Sequence, residues 1–298
     1  MSAKLKICFI VSLFLTACGE GTVRFEEQSF QPKIVIQGWL FPNQPVNNIK
    51  ISRNFPINST IAANEIIVRD AHVTLLDAGG LAFGLTFDER ERSYRYSGTD
   101  LVIRYGETYT LEVAAAIAGR QLFAKSTTTV PNPGFRIEEE KSQLGSMQYR
   151  ERTEDGELNN FNLVFQRSPG SDFYALSLTA LDAEPSTFIY DNPFGDFDSL
   201  DVKEDFDDFK FSYTWIQNTP LETGESNIEV FWFFTWFYSR YQAVLYAGDD
   251  NFKDFLITHN EVQEIDGNFH EPSFHIQGDG IGLFASAIAD TVFFSVTR

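Results

Sequence analysis

The sequence predicts a mainly β protein in which an antiparallel sandwich is followed by a second β-rich domain with one helical segment. The chain of 298 residues contains 30 Phe but only two Met, and such an aromatic-rich composition favours strands. Short segments of alternating apolar and polar residues recur between turns that contain Gly or Pro. Helical spacing of apolar residues is found in one stretch, which follows Ser239.

The first residues have the form of an export signal. Two lysines precede a short apolar run at residues 7–15, which is too short to span a bilayer as a helix. Leu15-Thr16-Ala17-Cys18 then resembles the lipobox of bacterial lipoproteins. The resemblance implies that residues 1–17 are removed and that Cys18 carries acyl chains such as palmitate, which together suffice for stable anchoring. The alternative is a plain signal peptide with a chance cysteine.

The residues after Cys18 indicate an outer-membrane location. Gly19 stands where an inner-membrane retention signal places Asp, so we expect an outer-membrane lipoprotein. The cell surface is favoured and the periplasmic face is left open. Residues 19–32 lack apolar periodicity and are expected to form a flexible stalk.

The chain is strongly acidic, with a formal net charge of −19. Loss of two lysines with the signal brings the charge to about −21. So negative a body disfavours nucleic acid and anionic lipid as partners. Because Cys8 leaves with the signal and Cys18 is lipidated, the remaining body has no thiol for a disulfide or a metal site.

Residues 33–131 are predicted to form the N-terminal sandwich. Its strands are expected at residues 33–40, 48–53, 71–77, 82–87, 93–96, 108–113 and 122–129. The pattern Val73-x-Leu75-x-Asp77-x-x-Gly80, followed by Gly106-x-x-Tyr109-x-Leu111, resembles sandwiches of the Ig-like or transthyretin-like kind. The resemblance implies a module that binds or spaces and seldom catalyses.

The turn sequence Pro131-Asn132-Pro133-Gly134 predicts a boundary, and the second β-rich domain is expected over residues 135–298. Residues 138–160 are polar and are expected to form a long hairpin or a mobile excursion. Ile228–Phe237 is apolar on both faces, which predicts a central strand. Tyr241–Leu256 has helical spacing that Gly248-Asp249-Asp250 interrupts, so we expect a bent or split helix.

The order of these features resembles a family of Bacteroidota lipoproteins defined only as domain of unknown function 4249. Five features carry the resemblance: Cys18, Val35–Trp39 with Ile51-Ser52-Arg53-x-x-Pro56, Ala71–Gly80, Gly119–Pro131, and Glu271–Phe284. The family pattern has Asn where this chain has His275. The resemblance implies a non-enzymatic accessory of a TonB-dependent outer-membrane receptor that holds substrate or forms part of a lid.

No catalytic signature supports an enzyme. The segment His270-Glu271-x-x-x-His275 does not fit a helical zinc motif, because its histidines are five apart and Pro272 lies between them. There is no Gly-x-Ser-x-Gly elbow. A hydrolase that uses unidentified carboxylates and a surface adhesion or structural lipoprotein remain alternative functions.

Residues 191–208 form the most acidic segment. Asp196, Asp198 and Asp201 are the candidate calcium ligands, although no glycine and no closing Glu stand where a twelve-residue calcium loop needs them. The favoured alternative is a solvated loop whose aromatic residues pack or contact a partner. Those aromatic candidates are Phe194, Phe197 and Phe206.

Two further patterns concern modification and packing. Ser199 and Thr291 each lie in an Asp-Ser/Thr-apolar triplet that resembles the O-glycosylation site of Bacteroidota. Phe231–Phe237 is expected to be core, with a carbohydrate-stacking or partner surface as the alternative. Gly278-x-Gly280-x-Gly282 precedes a strand and predicts a tight turn or bulge, and not a dinucleotide site.

Overall fold

A computed structural model describes residues 30–56, 59–218, 224–260 and 271–298 of the chain. Residues 32–298 form a single compact unit. The signal segment, Cys18 and residues 19–29 of the predicted stalk lie outside the described residues. Among the described helices, none is long and apolar enough to cross a membrane.

The predicted mainly β class is confirmed. In the described residues the strands are β1 (Ile34–Leu40), β2 (Lys50–Arg53), β3 (His72–Leu76), β4 (Ala82–Asp88), β5 (Ser93–Arg95), β6 (Thr108–Ile117), β7 (Arg120–Thr129), β8 (Arg136–Ile137), β9 (Gly145–Gln148), β10 (Phe161–Gln166), β11 (Phe173–Ala180), β12 (Phe211–Gln217), β13 (Glu225–Val230), β14 (Arg240–Gly248), β15 (Ile276–Gly278) and β16 (Gly280–Thr297). The helices are α1 (Ala63–Ile66), α2 (Ser199–Glu204), α3 (Phe206–Phe209) and α4 (Asp250–Asn260).

The strands form three sheets. A six-stranded antiparallel sheet has the order β15-β7-β6-β3-β4-β5. A seven-stranded sheet has the order β12-β11-β14-β16-β1-β2, with β9 also on β16. A small sheet has the order β13-β10-β8. The longest hairpin, β6–β7, forms because alternate residues of both strands are buried and because Ala118 and Gly119 adopt the positive φ values of a tight hairpin turn.

The strand β16 belongs to both halves of the large sheet. Its first residues pair in parallel with β1, from Ile34 opposite Gly280 to Leu40 opposite Ser286. Its later residues pair antiparallel with β14. The sequence predicted only that a strand follows Gly278-x-Gly280-x-Gly282, and nothing in it indicated a parallel partner for the first strand.

Two hydrophobic clusters fill the space between the sheets. The first lies between the six-stranded sheet and β1–β2, and it includes Ile36, Leu75 and Leu111. The second lies between the small sheet and β11, β14 and β16, and it includes Phe165 and Leu245. Each side of the predicted boundary supplies most of one cluster, while β1 and β16 pair across it. The division into two domains stays a prediction.

The segment Ile228–Phe237 is not the central strand that its apolar residues predicted. The strand β13 ends at Val230 and forms the edge of the small sheet, and Trp232–Phe234 is a 3-10 turn. The turn forms because Asn160 accepts the backbone N–H of Trp232, while the Thr235 hydroxyl donates to the Trp232 carbonyl.

The predicted helix at Tyr241–Leu256 is half strand. Residues of β14 alternate between buried and part-exposed, which is strand periodicity, and the helix α4 begins only at Asp250. Gly248-Asp249-Asp250, which was expected to bend a helix, joins the strand to it. The acidic segment also differs from a plain loop, since it contains α2 and α3.

The stretch Gly278-x-Gly280-x-Gly282, for which a tight turn or bulge was predicted, runs from the end of β15 into β16 and is a site of close backbone packing. Gly278 and Gly282 have φ values of +85° and +106°. A side chain at Gly282 would overlap the carbonyl oxygen of Ile36 on β1. The glycine therefore permits the parallel pairing of β1 with β16.

Replacing Gly282 by Ala is expected to destabilise the fold by roughly 2–4 kcal/mol, because it adds both a steric clash and backbone strain. Urea denaturation of the purified variant would measure the loss. Gly84→Ala is the matched control in β4, where a Cβ has no heavy atom within 4 Å. Equal transition midpoints for the two variants would contradict the tight packing at Gly282.

Candidate functional site

A cleft of about 230 Å³ is lined by residues from both sides of the predicted boundary at residues 131–134. Four connections form its walls: the end of β7, the loop that follows it, the turn before β11 and the junction of β14 with α4. Polar residues dominate this lining, and they include Asn132, Asp172, Asp249 and Asn251.

The side chain of Asp249 is the central polar group of the cleft. Its carboxylate accepts the hydroxyl of Thr128 from β7, and it accepts the backbone N–H of Phe252 at 3.0 Å. The second bond makes Asp249 the N-cap of α4. The backbone N–H of Asp249 donates to the Ser286 carbonyl at 3.1 Å, so one residue ties together β7, α4 and β16.

Asn251 adds a second tie between the same elements. Its amide donates to the Thr127 carbonyl at 2.7 Å and to the Phe284 carbonyl at 2.8 Å. The side chain is buried, and a buried amide that satisfies carbonyls of two strands is costly to remove. The start of α4 therefore bridges the two sheets.

An ion network lies at the mouth of the cleft. The Lys253 ammonium is 2.8 Å from an Asp250 oxygen and 3.3 Å from an Asp172 oxygen. Burial lowers the pKa of Lys253, but Asp250 and Asp172 outweigh this effect, so the pKa is raised overall. The network holds the turn before β11 against α4.

Burial raises the pKa of Asp249 to about 6, and the hydrogen bonds from Thr128 and Phe252 offset only part of this effect. A carboxyl group that titrates near neutrality is able to exchange protons. Here, however, its oxygens are already engaged by a hydroxyl and by a helix N-terminus. The arrangement makes Asp249 a pH-sensitive link between elements.

A second candidate site is an aromatic patch, which we define as Phe194, Phe231 and Phe233. The rings of Phe194 and Phe233 are 4.5 Å apart, and those of Phe231 and Phe233 stack at 5.2 Å with an interplanar angle of 3°. Phe194 is 66% exposed and Phe231 is 37% exposed. Asn192 builds the patch, because it accepts the Phe194 N–H and donates to the Phe233 carbonyl, both at 3.1 Å.

Of the three aromatic candidates in the acidic segment, only Phe194 is presented to solvent. Phe197 packs on Trp236 at 5.5 Å, and Phe206 packs on Phe237 at 5.6 Å. Both therefore contribute to the second hydrophobic cluster. The residues that follow Phe197 fold as α2 and α3, which the charge pattern did not reveal.

The acidic candidates serve the local fold. Asp198 is the N-cap of α2 and accepts the N–H groups of Leu200 and Asp201, while the Asp201 carboxylate accepts the N–H of Asp198. Asp196 is exposed beside them. In the part of the chain that the structure describes, no three His, Cys, Asp or Glu residues group to hold a metal ion.

The remaining candidates are dispersed. Ser199 is exposed at the start of α2, and Thr291 is exposed on β16, so their glycosylation stays a prediction. His275 lies 2.8 Å from a carboxylate oxygen of Asp254, while His270 lies outside the described residues. Cys18 also lies outside them, and its lipidation stays a prediction.

The sequence did not reveal the residues that join β7, α4 and β16. Thr128, Asn251 and Ser286 are buried polar residues, and single polar residues in strands or helices carry no signal of their partners. Asp249 did carry a usable signal, because an Asp just before a helical apolar pattern is a typical N-cap.

The fold defines a mainly β protein of several sheets. The model of the family described as "Domain of unknown function (DUF4249)" matches residues 20–287, and the chain belongs to this family. The resemblance proposed from the sequence is thereby confirmed. A comparison with curated proteins found no match.

Two solved structures share only a remote likeness with the chain. A bacterial ice-binding adhesin has 11% identity over 90% of this chain and 65% of its own, with a TM-score of 0.21. The FN1-FN3 domains of chicken CNTN1 have 10% identity over 89% of this chain and 67% of their own, with a TM-score of 0.16. At these scores neither structure informs the function of the chain.

Stability attributable to Asp249 is expected to fall as the pH rises from about 4 to 7. The folded pKa, about 6, lies above the ordinary value of 3.8, so in this window the folded state binds more protons than the unfolded state. Solvent screening reduces the effect to roughly 1–2 kcal/mol. Urea denaturation across this range would show that Asp249→Asn removes the dependence.

The exposed Asp207 provides the control for this measurement, because Asp207→Asn changes one carboxylate on α3 that does not line the cleft. The difference in stability between wild type and Asp249→Asn should vary with pH, and the difference for Asp207→Asn should not. Parallel pH profiles for wild type and Asp249→Asn would refute the role assigned to Asp249.

Proposed function

We propose that the protein is a lipid-anchored outer-membrane accessory that binds without catalysing and acts beside a TonB-dependent receptor. The observation that carries the proposal is the aromatic patch. Three phenylalanine rings lie together at the surface, where the buried side chain of Asn192 fixes the backbone at Phe194 and Phe233. Exposed clusters of aromatic side chains mark contact surfaces between proteins.

The surroundings of the patch fit a protein partner with a basic rim. Asp191 and Asp196 flank Phe194 in the sequence and are both exposed; the Arg150 guanidinium lies 3.8 Å from an Asp191 oxygen, whereas no such ion pair involves Asp196 among the described residues. An apolar centre with an acidic margin gives stacking at the core of an interface and charge complementarity at its edge. The patch is therefore suited to a receptor surface that combines apolar residues with Lys or Arg.

The sequence features before the fold support the location. Residues 15–18 resemble a lipobox, which supports acylation of Cys18, and the resemblance drawn from the sequence implies a lipoprotein with a receptor partner. A tethered binding protein gains effective concentration at the membrane, so a modest contact surface suffices for a stable complex with an outer-membrane protein.

Replacing Cys18 by Ala is expected to release the protein from membranes, because acylation at that residue is the proposed anchor. Fractionation of cells with antibody detection would show wild type in the outer-membrane fraction and the variant in the soluble fractions. Mass spectrometry of the wild-type N-terminal peptide should show acyl chains on Cys18. Recovery of both proteins in the membrane fraction would contradict the anchor.

Replacing Phe194 by Asp is expected to reduce recovery of the receptor by about tenfold when the tagged protein is purified from detergent-solubilised outer membranes. The variant should unfold at nearly the same urea concentration as wild type, since the side chain is mostly exposed.

Leu200→Asp is the matched control, because Leu200 is 58% exposed in the same acidic segment but lies outside the aromatic patch. It should recover the receptor as wild type does. The proposal fails if the tagged wild-type protein recovers no TonB-dependent receptor, or if Phe194→Asp recovers as much as the control.

A further inference from the structure

One face of the seven-stranded sheet is exposed to solvent along part of β12, β11, β14 and β16. The inner side chains of β11, β14 and β16 pack in the second hydrophobic cluster, so the intervening side chains point the opposite way. Across β12, β11, β14 and β16 these outward residues form three rows. The rows are Phe211, Thr179, Gln242 and Phe293; then Tyr213, Ser177, Val244 and Thr291; then Trp215, Ala175, Tyr246 and Ala289. We call these twelve residues the outer face.

The edge strand β12 presents an aromatic ladder on this face. The rings of Phe211 and Tyr213 are 6.1 Å apart, and those of Tyr213 and Trp215 stack at 6.2 Å with an interplanar angle of 20°. Phe211 is 51% exposed and Tyr213 is 41% exposed. At the other side of the face, Phe293 is 50% exposed. The rings thus bound the face on two sides.

The helix α4 closes one end of the outer face. The ring of Phe252 lies 5.4 Å from that of Phe173 and 6.4 Å from that of Tyr246. The helix therefore covers the part of the sheet that adjoins the third row on the side of Phe173. No comparable cover lies over the first two rows in the described residues, as the exposure of Phe211, Tyr213 and Phe293 shows. The outer face is therefore an exposed sheet surface that α4 borders at one end.

The outer face is uncharged. The chain contains 42 acidic and 23 basic residues, yet none of the twelve described residues of the three rows is Asp, Glu, Lys or Arg. Arg240 lies at the margin, where it stacks over Phe293 at 5.8 Å and approaches Asp182 at 3.8 Å. Between the rings lie side chains that form hydrogen bonds without charge, namely those of Ser177, Thr179, Gln242 and Thr291.

We propose that the outer face binds a neutral oligosaccharide. Aromatic rings stack against the apolar C–H faces of pyranose rings, and the spacing within the ladder is comparable to the length of one sugar residue. Hydroxyl and amide side chains between the rings supply bonds to sugar hydroxyls. An uncharged ligand on this face leaves no carboxylate desolvated, whereas the acidic surroundings repel anionic polymers.

The outer face shares no residue with the aromatic patch around Phe194, so the inference is independent of the proposed receptor contact. It also gives a consequence for Thr291. This residue lies in the middle row, and a glycan attached to it would cover the surface that binds the free oligosaccharide.

Binding to defined sugars tests the inference with the full-length chain in a detergent that has no sugar head group. The neutral probes are cellohexaose, maltohexaose, xylohexaose and mannohexaose, and hexagalacturonate is the anionic control. Isothermal titration should detect binding of at least one neutral probe in the millimolar range or tighter. Tyr213→Ala and Trp215→Ala should each weaken it by about tenfold, which corresponds to about 1.4 kcal/mol.

Two variants separate a lost contact from a lost fold. Tyr213→Phe keeps the ring and should retain most of the affinity. Phe123→Ala removes a ring that is 46% exposed on the six-stranded sheet, and it should bind as wild type does. Phe194→Asp should also bind normally, so failure of the receptor contact and failure of the sugar site are distinguishable.

The inference is overturned if none of the four neutral probes binds, or if binding survives both alanine substitutions on β12. Equal binding of hexagalacturonate would also overturn it. Sedimentation analysis tests whether a second copy of the chain occupies the outer face instead. If wild type forms a dimer that Tyr213→Ala disrupts, the face is an interface between two copies of the chain.

Discussion

The parallel pairing of β1 with β16 is the constraint on which the rest of the structure depends. It makes one continuous sheet from strands that lie near opposite ends of the folded unit. Gly282 permits the close approach, and Phe284 reaches from the same strand into the first hydrophobic cluster. Because β16 also pairs with β14, this one strand fixes the positions of both hydrophobic clusters.

The polar cleft follows from that pairing. Once β16 is fixed beside β1, Ser286 and the carbonyl of Phe284 face the end of β7. Asp249 and Asn251 satisfy these groups from the start of α4, where a helix N-terminus already needs an acceptor. The same few residues therefore cap a helix, satisfy buried backbone groups and join two sheets.

Local patterns were enough to predict much of the fold but little of the candidate sites. Strands β6 and β7 bury alternate residues, so their period of two is visible in the sequence. In β14 the outward Val244 and Tyr246 are apolar as well, which hid that period and favoured a helix. The outer face was missed for a different reason. It assembles from four strands whose register is set by pairing, and no single segment shows more than a fragment of it.

The pairing of β1 with β16 also bears on how the chain acquires its structure. The two strands are separated by roughly 250 residues, and contacts of such long range slow folding because the intervening chain must be ordered first. Until β16 arrives, β1 lacks a partner along one edge, and the apolar residues that cover it have no complete core. Apolar surface therefore stays exposed on partly folded chains, and the fold is complete only once the last strand has formed.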